Sequence, residues 1–289
     1  MTTIVKRDLP MPYYAADNVG APKPTLNSGV ANRLLSHSPL HAWARHPKLN
    51  PAYEPEESDA FDLGAAVHAA LLEGREDIIA VCPFDNWRTV KAQEFRDEAR
   101  RNGQIPLLPA QAETVTKMAS RAATAIAMCP DLDGVAPWEP ETTIVWQHGD
   151  TWLRCRPDAH SAEHGVILSY KTTSASAEPD AFTKTLINYG YDLQAAFELD
   201  ALGTVLKRQC RYVWVVQETS EPYAVSFIGM SPEMAAYARE RFEMAVETWA
   251  ACLESDTWPG YSSRICYVEL PAWKAAEWLA KKDFTEAFA

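Results

Sequence analysis

The chain has 289 residues, 47% of them hydrophobic, and a formal net charge of −12. That is ample apolar material for a sizeable core, and the acidic balance argues against a generally sticky basic surface while leaving room for a local basic channel. No apolar run reaches the about 18 residues of a membrane span. The first eight residues lack an apolar signal core, and the six scattered cysteines contain no CxxC pair, so zinc and iron–sulfur motifs are not expected and reduced cytoplasmic thiols are.

Residues 1–25 hold several prolines and a Tyr-Tyr pair, and read as an extended arm; residues 26–289 read as one domain with a C-terminal helical tail. The first helix is expected from Ser28, with Asn27 or Ser28 as its cap, and a second, short one has Pro39 at an early position. Residues 60–74 form a helix of small and apolar residues that contains Gly64 and His68 and stops at Gly74. A charged helix is expected over 88–101 and an amphipathic one over 110–128. Glu141 to His148 then reads as a strand, with Gly149-Asp150 turning into the strand that ends at Pro157-Asp158.

Asp158 is followed by twelve residues and then Lys171-Thr172-Thr173. Alternation places Arg154, Arg156 and Asp158 on one face of the first strand, and Ile167, Ser169 and Lys171 on one face of the next. A hairpin through Ser161–Gly165 brings Asp158 beside Lys171 at a sheet end. A carboxylate for a hard cation and an ammonium for developing negative charge are what metal-assisted phosphodiester cleavage needs. Helices follow from about 179 to 187 and from about 189, the second holding Gln194. A hairpin of strands over 211–218 and 223–230, a long helix over 232–253 and a tail helix over 271–284 complete the chain. In the tail, Trp273 and Trp278 are expected to pack or to meet another subunit. The order of elements suits an α/β domain with a mixed central sheet flanked by helices.

Pro157-Asp158 with Lys171-Thr172-Thr173 resembles the PD-(D/E)xK nuclease motif, most closely that of the exodeoxyribonuclease VIII (RecE-type) nucleases of phage recombination. The Ser-Pro-x-His element, the Gly64–His68 spacing and Gln194 on the helix after the motif strand add to the resemblance, which spans most of residues 25–255. Two positions depart from the pattern. Ser169 stands where the motif has its second acid, and Glu198 stands where a tyrosine follows the glutamine by four residues.

The resemblance implies a restriction-endonuclease-like core and a metal-dependent 5′-to-3′ exonuclease acting on linear double-stranded DNA to leave 3′ overhangs. It implies Asp158, Ser169 and the Tyr170 carbonyl at the metal, with Glu141 as a third acid and Glu139 as a weaker candidate, and Mg²⁺ or Mn²⁺ as the ion. Lys171, His68 and Gln194 take the catalytic roles; the DNA contacts are expected, from local basic charge rather than from the resemblance, at Arg154, Arg156 and Lys184. A toroidal homo-oligomer, trimer or tetramer, and a single-strand annealing partner are implied too. Ser169 leaves three alternatives open: an inactivating replacement, a neighbouring acid such as Glu163, Glu141, Glu178 or Asp180 in its place, or a protein that binds DNA ends without cutting them.

Overall fold

The computed structural model describes residues 2–7, 9–54 and 62–286. The chain divides into two compact units, Met1–Trp258 and Pro259–Ala289. The second unit carries one helix, whose Trp273 and Trp278 are both exposed. Among the described residues no helix is long and apolar enough to cross a membrane.

The first unit opens with strand β1 (Thr3–Lys6) and a short helix α1 (Met11–Ala15). β1 pairs antiparallel with the strand at 143–148, and Asp17, Val19 and Thr25 are buried. The segment expected as an extended arm is therefore built into the fold. Helices α2 (Ser28–Ser36) and α3 (Pro39–Ala44) follow. The Asn27 side chain caps α2 by accepting from the Val30 N–H, and Pro39 opens α3. Helix α4 (Asp62–His68) runs into a π-helical turn, Ala69–Glu73, that Gly74 ends in the left-handed conformation. The expected start of this helix at Ala60-Phe61 lies outside the described residues. Next come β2 (Ile79–Val81), α5 (Val90–Arg101), β3 (Ile105–Leu107) and α6 (Pro109–Met128).

The strands that follow belong to two sheets. β4 (Glu139–Pro140), β5 (Thr143–His148), β6 (Thr151–Cys155), β7 (Ala159–Ser161) and β8 (Val166–Thr173) alternate between two sheets. β1, β5 and β6 make a three-stranded sheet, whereas β4, β7 and β8 join β9 (Arg211–Glu218) and β10 (Val225–Ile228) in a five-stranded one, in the order β10-β9-β8-β7-β4. The larger sheet is mixed, because β8 and β9 run parallel and its other pairs antiparallel. The chain crosses between sheets at Glu141-Thr142 and again at Arg156-Pro157-Asp158. Proline lacks the N–H a ladder needs, so Pro157 ends the first strand rather than continuing it. The two crossings lie side by side, with the Glu141 N–H donating to the Asp158 carbonyl at 3.2 Å.

Helices α7 (Pro179–Asn188), α8 (Tyr191–Leu206) and α9 (Pro232–Ser255) complete this unit. Alternation along β8 and β9 divides the core. Ile167, Tyr212, Trp214 and Val216 face a cluster built with α2, α8 and α9, while Val166, Leu168, Tyr170 and Val215 face one built with α4 and α6. Ser169 and Lys171 share the Ile167 face, and α8 packs there.

Candidate active site

The antiparallel register of β7 and β8 pairs Ala159 with Leu168, so Asp158, one residue earlier, meets the Ser169–Lys171 stretch. The Tyr170 N–H donates to Asp158 Oδ2 at 2.8 Å and the Ser169 hydroxyl donates to the same oxygen at 3.0 Å. Lys171 Nζ stands 3.8 Å from Oδ2 and 4.8 Å from the centre of the Tyr191 ring, which holds the ammonium over its face. Burial alone would raise the Asp158 pKa, but Lys171, His68 and the Ser169 hydroxyl outweigh it and bring the carboxyl down to about 2.

α4 lays His68 against the same group. Its Nε2 is 3.3 Å from Glu141 Oε1 and 3.7 Å from Asp158 Oδ1, and its Nδ1 is 3.4 Å from Glu73 Oε1. Burial works against the charged ring, yet Asp158, Glu73 and Glu141 together hold its pKa up at about 10. The imidazolium occupies the point on which three carboxylates converge. Glu141 is held in a left-handed backbone conformation, φ 50°, uncommon outside glycine, and it pairs with the Arg156 guanidinium. The strand expected from Glu141 thus begins at Thr143. These side chains line a cleft of about 1200 Å³ that also takes in Gly64, Thr172, Arg7 and Arg75.

Several expected residues lie elsewhere. Arg154 is 2% exposed; it bridges to Asp17 Oδ1 at 2.9 Å and donates to Thr25, so it faces the buried side of the three-stranded sheet and is closed to a phosphate. Because Pro157 breaks the strand, alternation counted through it puts Arg154 on the wrong face. Lys184 is exposed on α7 and does not line the cleft. Gln194 does not line it either: its Nε2 donates to Glu198 Oε1 at 2.8 Å. Glu163 and Asp180 are exposed away from the cleft, and the Glu178 side chain caps α7. Glu139 is at the rim, bridged to Arg7 at 2.8 Å. Ser169 is fully buried, with its hydroxyl turned to Asp158.

Two groups, Glu73 and Tyr212, emerge only in the structure, and Glu198, noted in the sequence as a departure from the motif, gains a place beside the site. Glu73 follows His68 by five residues, a spacing that a regular helix turns away and the π-helical turn brings round. Glu198 is 2% exposed beneath the motif strand; burial and the Asp158 charge push its pKa up to about 7. The buried Tyr212 hydroxyl donates to Glu198 Oε2 at 3.0 Å. The signal for Glu198 in the sequence is an acid inside the apolar run Ala195-Ala196-Phe197-Glu198-Leu199.

His68, Glu73 and Glu141 can each offer a ligand atom within 4.8 Å of the others', and Asp158 adds a carboxylate beside them. The carboxylate oxygens gathered here fit a hard divalent ion, with His68 able to ligate once it has lost its proton.

Among curated proteins none matches the chain. The fold is similar to that in the crystal structure of a protein from Eubacterium rectale named "Putative exonuclease", with a TM-score of 0.61 and 12% identity, over 92% of this chain and 97% of that one. Residues 32–271 match a family described as "PDDEXK-like domain of unknown function (DUF3799)". The chain belongs to this PDDEXK-like family.

Proposed function

We propose that this chain is a metal-dependent nuclease that hydrolyses linear double-stranded DNA from 5′ to 3′ and leaves 3′ overhangs for phage-type recombination. The observation that carries the reading is the convergence of Asp158, Lys171, His68 and Glu141 on one cleft. A divalent cation, Mg²⁺ or Mn²⁺, bound by Asp158 and its neighbouring acids would activate a water and offset phosphate charge. Asp158, pinned by the Tyr170 N–H, is kept ionised as a ligand. Lys171, steadied by the Tyr191 ring, orients the attacking water and stabilises charge on the phosphate. His68 holds a proton at Nε2 toward Glu141 and Asp158 and can give it up as the cation enters. Arg156, Arg75 and Arg7 supply the basic rim for the DNA backbone. The polarity, a toroidal trimer or tetramer, a single-strand annealing partner and a cytoplasmic setting in a bacterial or phage-infected cell follow the RecE-type resemblance. The second reading, a DNA-end binder of the same fold that does not cut, is favoured by one observation: Ser169 in place of the second motif acid.

The test is digestion of linear duplexes labelled at the 5′ or the 3′ end, with a closed circle as control, in Mg²⁺, in Mn²⁺ and in EDTA. Metal-dependent release of the 5′ label from the linear substrate alone is expected. Tight end binding with no release in either metal would establish the second reading instead.

A further inference from the structure

Phe182, Tyr191 and Tyr189 form a row of rings that leads from the core to the surface beside the cleft. The Tyr191 ring centre lies 6.4 Å from that of Phe182 and 5.8 Å from that of Tyr189, and the rings of each pair are inclined by only 19°. Phe182 is 1% exposed, whereas Tyr189 is 67% exposed. The same Tyr191 ring carries the Lys171 ammonium at 4.8 Å and lines the cleft. Tyr189 therefore stands one ring away from the group that meets the phosphate. The turn between α7 and α8 fixes it there. Gly190 has φ 70°, and a Cβ on it would lie 2.6 Å from Cγ of Asn32. Asn32 accepts from the Arg241 guanidinium at 3.0 Å, and Arg241 also grips the buried Asp192. The turn is thus held from both α2 and α9. A large ring left exposed on a fixed turn is pre-organised for a flat partner.

We propose that Tyr189 is a stacking platform for an unpaired nucleobase, so that the strand met by Asp158 and Lys171 enters the cleft as a single strand. This rests on the reading of the cleft as a nuclease site and names the form in which DNA reaches it. The Lys171 and Asp158 side chains are only 16% and 15% exposed, so a phosphate must be drawn in to meet them. A nucleotide drawn in that far leaves its pairing partner and gives up its stacking. The Tyr189 ring takes the place of the lost neighbour, because an aromatic face accepts any base. With the base laid on Tyr189, the phosphate beside it is directed toward Lys171, one ring further along. Stacking reads no sequence, and neither do the phosphate contacts of Arg156, Arg75 and Arg7. The two kinds of contact are nonetheless separable. The stack is uncharged, whereas the arginine contacts release counterions and weaken with salt.

The experiment is fluorescence anisotropy of forked duplexes in EDTA, where nothing is cut, with thermal melting of each variant alongside. Both strands of the fork end in a few unpaired nucleotides, and separate substrates carry an abasic site in one arm or the other. Loss of the base from the arm that enters should weaken wild-type binding about tenfold. Tyr189→Ala should weaken binding of the intact fork by about the same factor, and the abasic site should then cost nothing further, a coupling that only a shared contact produces. Tyr189→Phe and Tyr189→Trp should stay within about twofold of wild type, a rescue that the lost hydroxyl alone would not give. The slope of log affinity against log salt should be the same in wild type and Tyr189→Ala, since no ion pair is removed. All four proteins should melt alike, because Tyr189 is exposed. In wild type, 5-iodouracil at the unpaired position should cross-link on irradiation to Tyr189. Unchanged fork binding in Tyr189→Ala, or a cross-link confined to other residues, overturns the platform. If wild type still digests linear duplexes in Mg²⁺, the nuclease reading stands without it. Stacking on Tyr189 with no digestion in either metal supports the platform and selects the end-binding reading. No binding to any DNA end and no cleavage by wild type overturns both.

Discussion

The Cβ that Gly64 lacks would lie 3.1 Å from Oγ1 of Thr172, so α4 rests on the motif strand at a point where a methyl group enters only if the hydroxyl gives way. His68, one turn later, takes its position from that contact. Gly64→Ala should leave the fold intact, because a hydroxyl can yield by a few tenths of an ångström, and should lower metal-dependent cleavage about tenfold by moving His68. Thr172→Ala in the same chain should recover most of the loss. Single-turnover digestion with melting as a control checks both; wild-type rates in Gly64→Ala would show that this contact does not place His68.

Lys171→Ala should reduce Mg²⁺-dependent cleavage about 10²–10³-fold with folding unchanged, as expected for removal of a group that stabilises transition-state charge. Lys171→Arg should not restore the rate, since the planar guanidinium cannot take the place of a compact ammonium over the Tyr191 ring. Near-normal activity in either variant, at matched metal occupancy, removes Lys171 from the chemistry.

Stability should fall at both ends of the pH scale for reasons that can be separated. The Asp158 pKa is depressed from 3.8 to about 2; its contribution, about 2 kcal/mol, is complete above pH 3.8 and lost as the pH falls through 2. The His68 pKa is raised from 6.5 to about 10; its contribution is complete below pH 6.5 and lost as the pH rises through 10. In metal-free protein, Asp158→Asn should flatten the acid limb of a melting-versus-pH curve and His68→Gln the alkaline limb. An alkaline limb unchanged in His68→Gln contradicts a charged imidazole among the three acids.

Arg154 should behave as a stability residue. Arg154→Met leaves Asp17 buried beside Thr25 without its guanidinium, and should destabilise by about 3–5 kcal/mol in urea unfolding. The folded fraction should bind duplex DNA with the wild-type salt dependence. Arg156→Gln should instead reduce the slope of log affinity against log salt by about one, because Arg156 lines the cleft. The opposite pattern in the two variants would return Arg154 to the DNA surface.

Much of the site is legible in the sequence because its key relation is local. Asp158 and Lys171 lie on neighbouring strands joined by a short turn, and period-2 alternation with a hairpin is enough to bring them together. Gly64 and His68 are one helical turn apart, which is again short-range. Legibility ends where a backbone irregularity intervenes. Pro157 sends the chain into another sheet and reverses the side on which Arg154 falls; the π-helical turn after His68 swings Glu73 into reach; the left-handed Glu141 delays its strand by two residues. Glu198 and Tyr212 meet only because α8 lies on β9, a contact between elements that no pattern within either one reports. The N-terminal strand is hidden for the same reason, since its partner β5 lies more than a hundred residues away.

That strand alters what a shortened chain would mean. β1 forms the outer rung of the small sheet, bonded along β5, and β5 starts two residues after Glu141. Leu9, a few residues further on, receives the Arg156 guanidinium on its carbonyl at 2.8 Å. Trimming the front of the protein would therefore not tidy a loose end. It would unzip the ladder that anchors Glu141 and let go of the arginine that restrains it, loosening the cleft from behind while Asp158 and Lys171 stay in place.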